Sequence, residues 1–321
     1  MNTVKFDYFS LPVKMRWAGC IGLGFALFLC WDQFYWWTIK EEYFFGFLTP
    51  VFVGYVLWER WPRIKALFLS NGVSQVNRTG SLLGSRCWGI DVVAYVVGLG
   101  GLMFLLLGGV LRAGNGPQQP ASLALALGFA AFVPCLAYSN SGCNASGNPL
   151  TVSQRLELTG LFLFPALIWT LSAPLLSFVE KRISGILLEE VTRVVFFTFD
   201  TLALPIERRG NVLVLPKGSV GVADACSGIR SLTACLFAGS FLAAVYLDRF
   251  WKKVLLVATA MGMAFLGNLL RSLFLTFWAY HYGAESLSGF VHDATGYAVL
   301  GATCIGLLIL VRVFTFKVYP D

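Results

Sequence analysis

The chain has 321 residues, of which 57% are hydrophobic and only 13% charged. So little polar surface cannot clothe a soluble globular domain, and the composition places the chain among membrane proteins. The net charge of +7 sits in short basic segments between apolar runs, with no basic stripe interleaved with aromatics. That pattern excludes nucleic acid as the expected partner and suits membrane topology and anionic lipid headgroups.

Met1 to Arg16 is basic and leads into a first predicted span at about Trp17 to Trp37. The run is long and aromatic and no small-residue cleavage site follows it, so it reads as a helix and not as a signal peptide. Ala18-Gly19-Cys20 lacks the preceding hydrophobic core of a lipobox. A second span is predicted from about Tyr43 to Trp58. A basic loop follows with Arg60, Arg63, Lys65, Arg78 and Arg86, part of which, Ile64 to Leu69, suits the membrane surface. The third, fourth and fifth spans are expected at about Cys87 to Leu111, Ala121 to Tyr138 and Leu156 to Phe178. Kinks in the fifth are expected at Pro165 and Pro174.

Glu180 to Asp200 breaks the pattern. Its charges alternate with Ile186, Leu187, Val194 and Phe197, as in an amphipathic helix lying on the interface. Asn211 to Leu215, a Pro-Lys-Gly-Ser turn at 216–219 and Val220 to Ala223 predict a short hairpin. Three further spans follow at about Ala225 to Leu247, Val254 to Tyr280 and Leu287 to Val311. The expected fold is therefore an all-α polytopic membrane protein. It has about eight transmembrane helices, with a short amphipathic helix and a hairpin between the fifth and sixth. The expected division is residues 1–179 (five helices), 180–224 (the extracytoplasmic helix and hairpin) and 225–321 (three helices), within one membrane domain.

The N-terminus, the 60–86 loop, the 249–253 loop and the C-terminus are basic, and the alternate loops are poor in Lys and Arg. The positive-inside rule then puts both termini in the cytoplasm and the 180–224 segment outside. This orientation sorts the eight cysteines. Cys226 alone falls at the outer rim, where a lone thiol has no disulfide partner. No pair has CxxC spacing, and two histidines are too few for a His-rich metal site, so no metal or cofactor is expected. A small buried hydrophobe is the ordinary alternative for any free cysteine.

Cys226 is expected in the first turn of the sixth span, where free N–H groups and the helix dipole favour a thiolate. Asp224 is its expected N-cap. Arg230, four residues on, is expected on the same face, to stabilise the thiolate or bind a substrate carboxylate, or else as a snorkelling rim residue. Arg271 lies in an apolar stretch of the seventh span, one turn after Asn268. An arginine there marks a cavity or a structural pair with a carboxylate such as Asp224 or Asp293. His292 opens the eighth span at the same level. Cys, His and Arg are the parts of thiol acyl transfer: nucleophile, proton carrier and oxyanion or substrate stabiliser.

The run Ala225-Cys226-Ser227-Gly228-Ile229-Arg230-Ser231, then Asn268-Leu269-Leu270-Arg271, then His292-Asp293 before Gly296, closely resembles the exosortase/archaeosortase family. So does the lead-in from Gly210 to Pro216 with Gly218. The resemblance covers about Leu204 to Leu310. It implies a multi-pass enzyme of the cytoplasmic (inner) membrane with its site at the extracytoplasmic face. Such an enzyme cleaves C-terminal sorting signals through an acyl-thioester on Cys226 and transfers the product to an acceptor. The implied partners are secreted proteins ending in a Pro-Glu-Pro motif, a transmembrane helix and a basic cluster, together with membrane lipids. By motif match Arg271 and His292 complete the triad, with Asp224, Ser227, Arg230, Asn268 and Asp293 in support. Histidine at the third position favours the bacterial branch, and Asp224 departs from the family's usual Glu. Two other readings compete: a carrier or flippase for an anionic lipid or polysaccharide intermediate with Arg230 and Arg271 as anion sites, and a non-catalytic assembly scaffold.

Overall fold

The computed structural model describes residues 8–69, 88–221, 228–287 and 289–315. Within these residues the chain consists of helices joined by loops, with one small three-stranded sheet. Seven helices are long and apolar enough to cross a membrane, and the chain is an all-α multi-pass membrane protein. The chain divides into two compact units, one of residues 1–40 and 44–175, the other of 41–43 and 176–321.

The first unit contains α1 (Val13–Ile39), α2 (Thr49–Leu69), α3 (Trp88–Asn115), α4 (Gln119–Asn140) and α5 (Val152–Ser172). α3 and α4 pack backbone to backbone, because glycines face each other. A Cβ on Gly101 would lie 2.7 Å from the Phe132 nitrogen, and one on Gly128 would lie 2.7 Å from the Gly101 oxygen. Such close approach is how helices associate where lipid removes the hydrophobic drive. Polar side chains do the rest. Arg112 Nε donates to Asp32 Oδ1 at 2.6 Å, with Asp32 wholly buried. Gln33 donates to the Trp169 carbonyl at 3.1 Å and accepts from Ser172 Oγ at 2.8 Å. Trp36 donates to Ser122 Oγ at 2.7 Å. Asp32, Gln33 and Trp36 of α1 thus each find a partner, as their cost in an apolar medium requires.

Two predicted spans differ from the structure. The second does not run as one helix from Tyr43. Glu41–Leu48 is a 3-10 helix, and α2 begins at Thr49 and continues through the charged Glu59, Arg60, Arg63 and Lys65 to Leu69. Arg60 can lie inside a helix because its guanidinium donates to the Leu161 carbonyl at 2.6 Å. The charges keep α2 out of the seven apolar helices. The fifth span ends at Ser172, so Pro174 lies in the break before the next helix while Pro165 stays inside α5. Proline two residues past a helix end is a stop signal, not a kink.

The second unit contains α6 (Ser177–Thr201), β1 (Glu207–Arg209), β2 (Val212–Leu215), β3 (Gly218–Gly221), α7 (Ile229–Tyr246), α8 (Phe250–Tyr282) and α9 (Phe290–Thr315). α6 is the amphipathic helix expected from the sequence. Its Val191, Val195 and Phe199 are buried with Leu213 of β2, packed by Phe265, Leu269 and Leu273 of α8. The other face is charged, with Arg193 near Glu189 and Glu190 on the surface. The three strands form an antiparallel meander in the order β1-β2-β3. The hairpin is the expected one, with its turn at Pro216-Lys217 and its second strand starting earlier, at Gly218. α7, α8 and α9 are antiparallel neighbours. Gly239 of α7 lets Ala260 of α8 approach, since a Cβ there would lie 2.9 Å from the Ala260 Cβ.

α8 has 33 residues and so spans about 50 Å, against a hydrocarbon core of about 30 Å. Its far end carries the sheet: Leu215 and Val220 bury against Ala279, and Lys217 donates to the His281 carbonyl at 2.5 Å.

Candidate functional site

The connections α7–α8 and α8–α9 are short. The start of α7, the second half of α8 and the start of α9 therefore lie at the same end of the second unit. Three of the motif residues meet there. Arg271 Nη2 is 2.9 Å from His292 Nε2 and also donates to the His292 carbonyl at 3.3 Å. A guanidinium has no acceptor, so Nε2 must be the acceptor. His292 in this arrangement is the neutral tautomer with its proton on Nδ1. That nitrogen points toward Asp293 Oδ1 at 3.5 Å. His292 is partly exposed (38% of its side chain) and Asp293 more so. The buried Arg271 Nε has no hydrogen-bond partner among the described residues. No carboxylate among them pairs with Arg271.

Gly296, one turn after His292, makes room for the guanidinium. A Cβ there would meet Arg271 Nη2 at 3.6 Å, ordinary contact, so larger side chains would press on it. Asn268 is buried at 5% exposure, one turn before Arg271. Its Nδ2 lies 3.1 Å from where a Cβ of Gly228 would be.

Asp224, Cys226 and Ser227 lie outside the described residues. The start of the sixth predicted span differs from expectation. The N-cap is Gly228, not Asp224, and α7 begins at Ile229, so the helix's first turn follows Cys226. Gly228 has φ 69°, a backbone conformation open to glycine and strained for L residues. Asp224 looks the better cap by residue type, and that preference misplaced the boundary. The expected shared face of Arg230 with Cys226 involves a residue outside the described ones. Arg230 pairs with Glu41, both well exposed. Nothing at Glu41 signals this partner, which is 189 residues away in sequence.

Gly228→Ala is an expected lesion of the site. It would force an L side chain into positive φ and press on Asn268. A loss of about 1–2 kcal/mol is expected, checked as a lowered thermal midpoint of the purified protein. Gly296→Ala should leave the midpoint near wild type.

On the sheet, Arg209 grips Glu207 through two hydrogen bonds of 3.0 Å, which holds the Glu207 carboxyl below the usual carboxylate range. Both groups are fully exposed, and their role is confined to the surface. No cluster of His, Cys, Asp and Glu suited to a metal ion exists among the described residues.

The family described as transmembrane exosortase (Exosortase_EpsH) matches residues 36–309. No curated protein and no solved structure matches the chain significantly.

Proposed function

The chain belongs to the transmembrane exosortase family, and from that premise we propose a membrane-embedded thiol protease/transpeptidase that cleaves C-terminal sorting signals of exported proteins. The observation that carries the reading is the Arg271–His292 contact of 2.9 Å, at the end of the unit where Gly228 lies against Asn268. Cys226 stands two residues before Gly228, at most about 7 Å of chain away.

In the proposed reaction Cys226 Sγ attacks the scissile carbonyl carbon. The S–C bond forms, the peptide C–N bond breaks, and the leaving amine takes a proton. A thioester holds the N-terminal product until a water or amine displaces it. His292 is the proton carrier. In the resting contact its Nε2 lone pair is occupied by Arg271, so the guanidinium must turn aside before Nε2 accepts the thiol proton. Turning frees Nη2 to bind the developing oxyanion, which links the two roles. The substrates would be proteins ending in a Pro-Glu-Pro motif, an apolar helix and a basic cluster. The carrier reading is weakened because Arg230, one of its two anion sites, is already paired with Glu41.

The proposed orientation puts the site outside, in the cytoplasmic membrane, and both termini in the cytoplasm. All four basic segments then share one side only if α2 also crosses, as the eighth passage. Co-expression with a tripartite substrate tests function and orientation together. A shortened substrate is expected in cells carrying the wild-type chain. An impermeant thiol reagent should label Cys226 in intact cells, and Cys143 only after the membrane is opened. Label on Cys226 only after opening overturns the orientation. An uncut substrate in cells with full membrane levels of the chain overturns the function.

A further inference from the structure

The first unit holds a cavity that takes no part in the site above. Its volume is about 570 Å³ and its lining is almost wholly apolar. α1 packs on α4 and α2 on α5, and the space between α1 and α2 is left unfilled. The lining runs from Met15 to Cys30 on α1 and from Pro50 to Ile64 on α2, about 20 Å of helix. Small residues make the room: Gly22 and Ala26 on α1, Gly54 on α2. A Cβ on Gly54 would meet nothing within 4 Å, and one on Gly22 only the Val133 methyls at 4.0 Å.

Size and charge narrow the occupant. The volume falls within the range of small-ligand pockets, about 300–1,000 Å³. One acyl chain, which covers a leaflet of about 15 Å, fits within it. Basic residues flank the lining at the Met15, Trp61 and Ile64 end in sequence, Lys14 and Arg16 on either side of Met15 and Arg63 just before Ile64, though none of the three lines the cavity itself. Among the described residues no carboxylate pairs with Lys14, Arg16 or Arg63. The buried Nε of Arg16 has no acceptor among the described residues. Tyr8, which lines the same end, donates its hydroxyl to the Arg16 carbonyl and so ties that turn to the cavity wall.

We propose that this cavity binds one acyl chain of an anionic phospholipid, whose phosphate is held by Lys14, Arg16 and Arg63. The apolar chain fills the gap between α1 and α2, and the headgroup neutralises cations that have no carboxylate partner among the described residues.

The test uses the full-length protein in mild detergent and native mass spectrometry, with phosphatidylglycerol and phosphatidylethanolamine of the same acyl chains. One phosphatidylglycerol retained per chain is expected, with phosphatidylethanolamine held at least about tenfold more weakly. Gly54→Leu fills the cavity from α2 and Ala26→Leu from α1. Each should weaken retention by about tenfold or more, the effect of losing roughly two buried methylenes. Lys14→Gln with Arg16→Gln should erase the preference between headgroups. Equal retention of the two lipids by the wild-type protein overturns the proposal without recourse to any variant. Undiminished retention in both filled variants overturns it as well, as does a polypeptide found crosslinked at Cys30 in place of lipid.

Discussion

Cys226→Ala is expected to abolish processing of a co-expressed sorting-signal protein, by on the order of 10⁴-fold or more, while membrane levels of the enzyme stay normal. Removal of a nucleophile deletes the covalent path entirely, and the remaining groups can only orient water. Cys226→Ser should do little better, because a hydroxyl lacks the thiol's accessible anion and a neutral histidine is a weak base for it. The measurement is the ratio of full-length to shortened substrate, with the enzyme quantified in the same membranes. A trapped substrate–enzyme adduct, cleaved by hydroxylamine in the wild type and missing in the alanine variant, shows the thioester directly. Substrate cut at the wild-type rate by Cys226→Ala would remove the thiol from the mechanism. It would return the protein to the carrier or scaffold readings.

The second large effect is expected at Arg271. Arg271→Lys keeps the charge and loses the planar guanidinium whose Nη2 serves both the ring nitrogen and the carbonyl of His292. Lysine offers a point charge on a shorter, flexible stem, so it does not hold a donor fixed at the place of Nη2. A fall of about 10²–10³ in turnover is expected, the usual size for loss of one preorganised donor to an oxyanion. His292→Gln distinguishes proton transfer from mere positioning. The amide oxygen can still accept from Arg271, yet no proton can be carried. Adducts should therefore be rarer than in Arg271→Lys if the histidine carries the proton during acylation. Wild-type turnover in His292→Gln would reduce His292 to a holder of the arginine.

The sequence made some of this legible for physical reasons. The amphipathic helix showed because its charges and apolar residues alternate at helical spacing, and α6 occupies that place. The hairpin showed because a Pro-Lys-Gly turn follows the apolar Val-Leu-Val-Leu run and leads into a second stretch with Val220. β1 did not, because Glu207, Arg208 and Arg209 have no apolar pattern. They pair with β2 through the backbone, with side chains held at the surface. The meeting of Arg271 and His292 could be expected from their depths in successive antiparallel helices. The tautomer could not, since it depends on which ring nitrogen faces the guanidinium. Nor could Gly228 as the cap, because positive φ leaves no mark on composition.

Under the proposed function, the length of α8 has a consequence for which substrates would be cut. From Lys252 to Arg271 is 19 residues, about 28 Å of helix, close to the thickness of the bilayer's apolar interior. The helix thus sets a basic pair and the proposed site one membrane thickness apart. A sorting signal has the same order in reverse: cleavage motif, apolar helix, basic cluster. Laid antiparallel to α8, a substrate span of about 20 residues brings its motif to the height of Arg271 when its own cations reach the height of Lys252 and Lys253. The enzyme would in this way select its cleavage point by elevation above the membrane, with α8 as the measuring rod. The sheet carried beyond Arg271 would then form the wall past which the exported body of the substrate must pass.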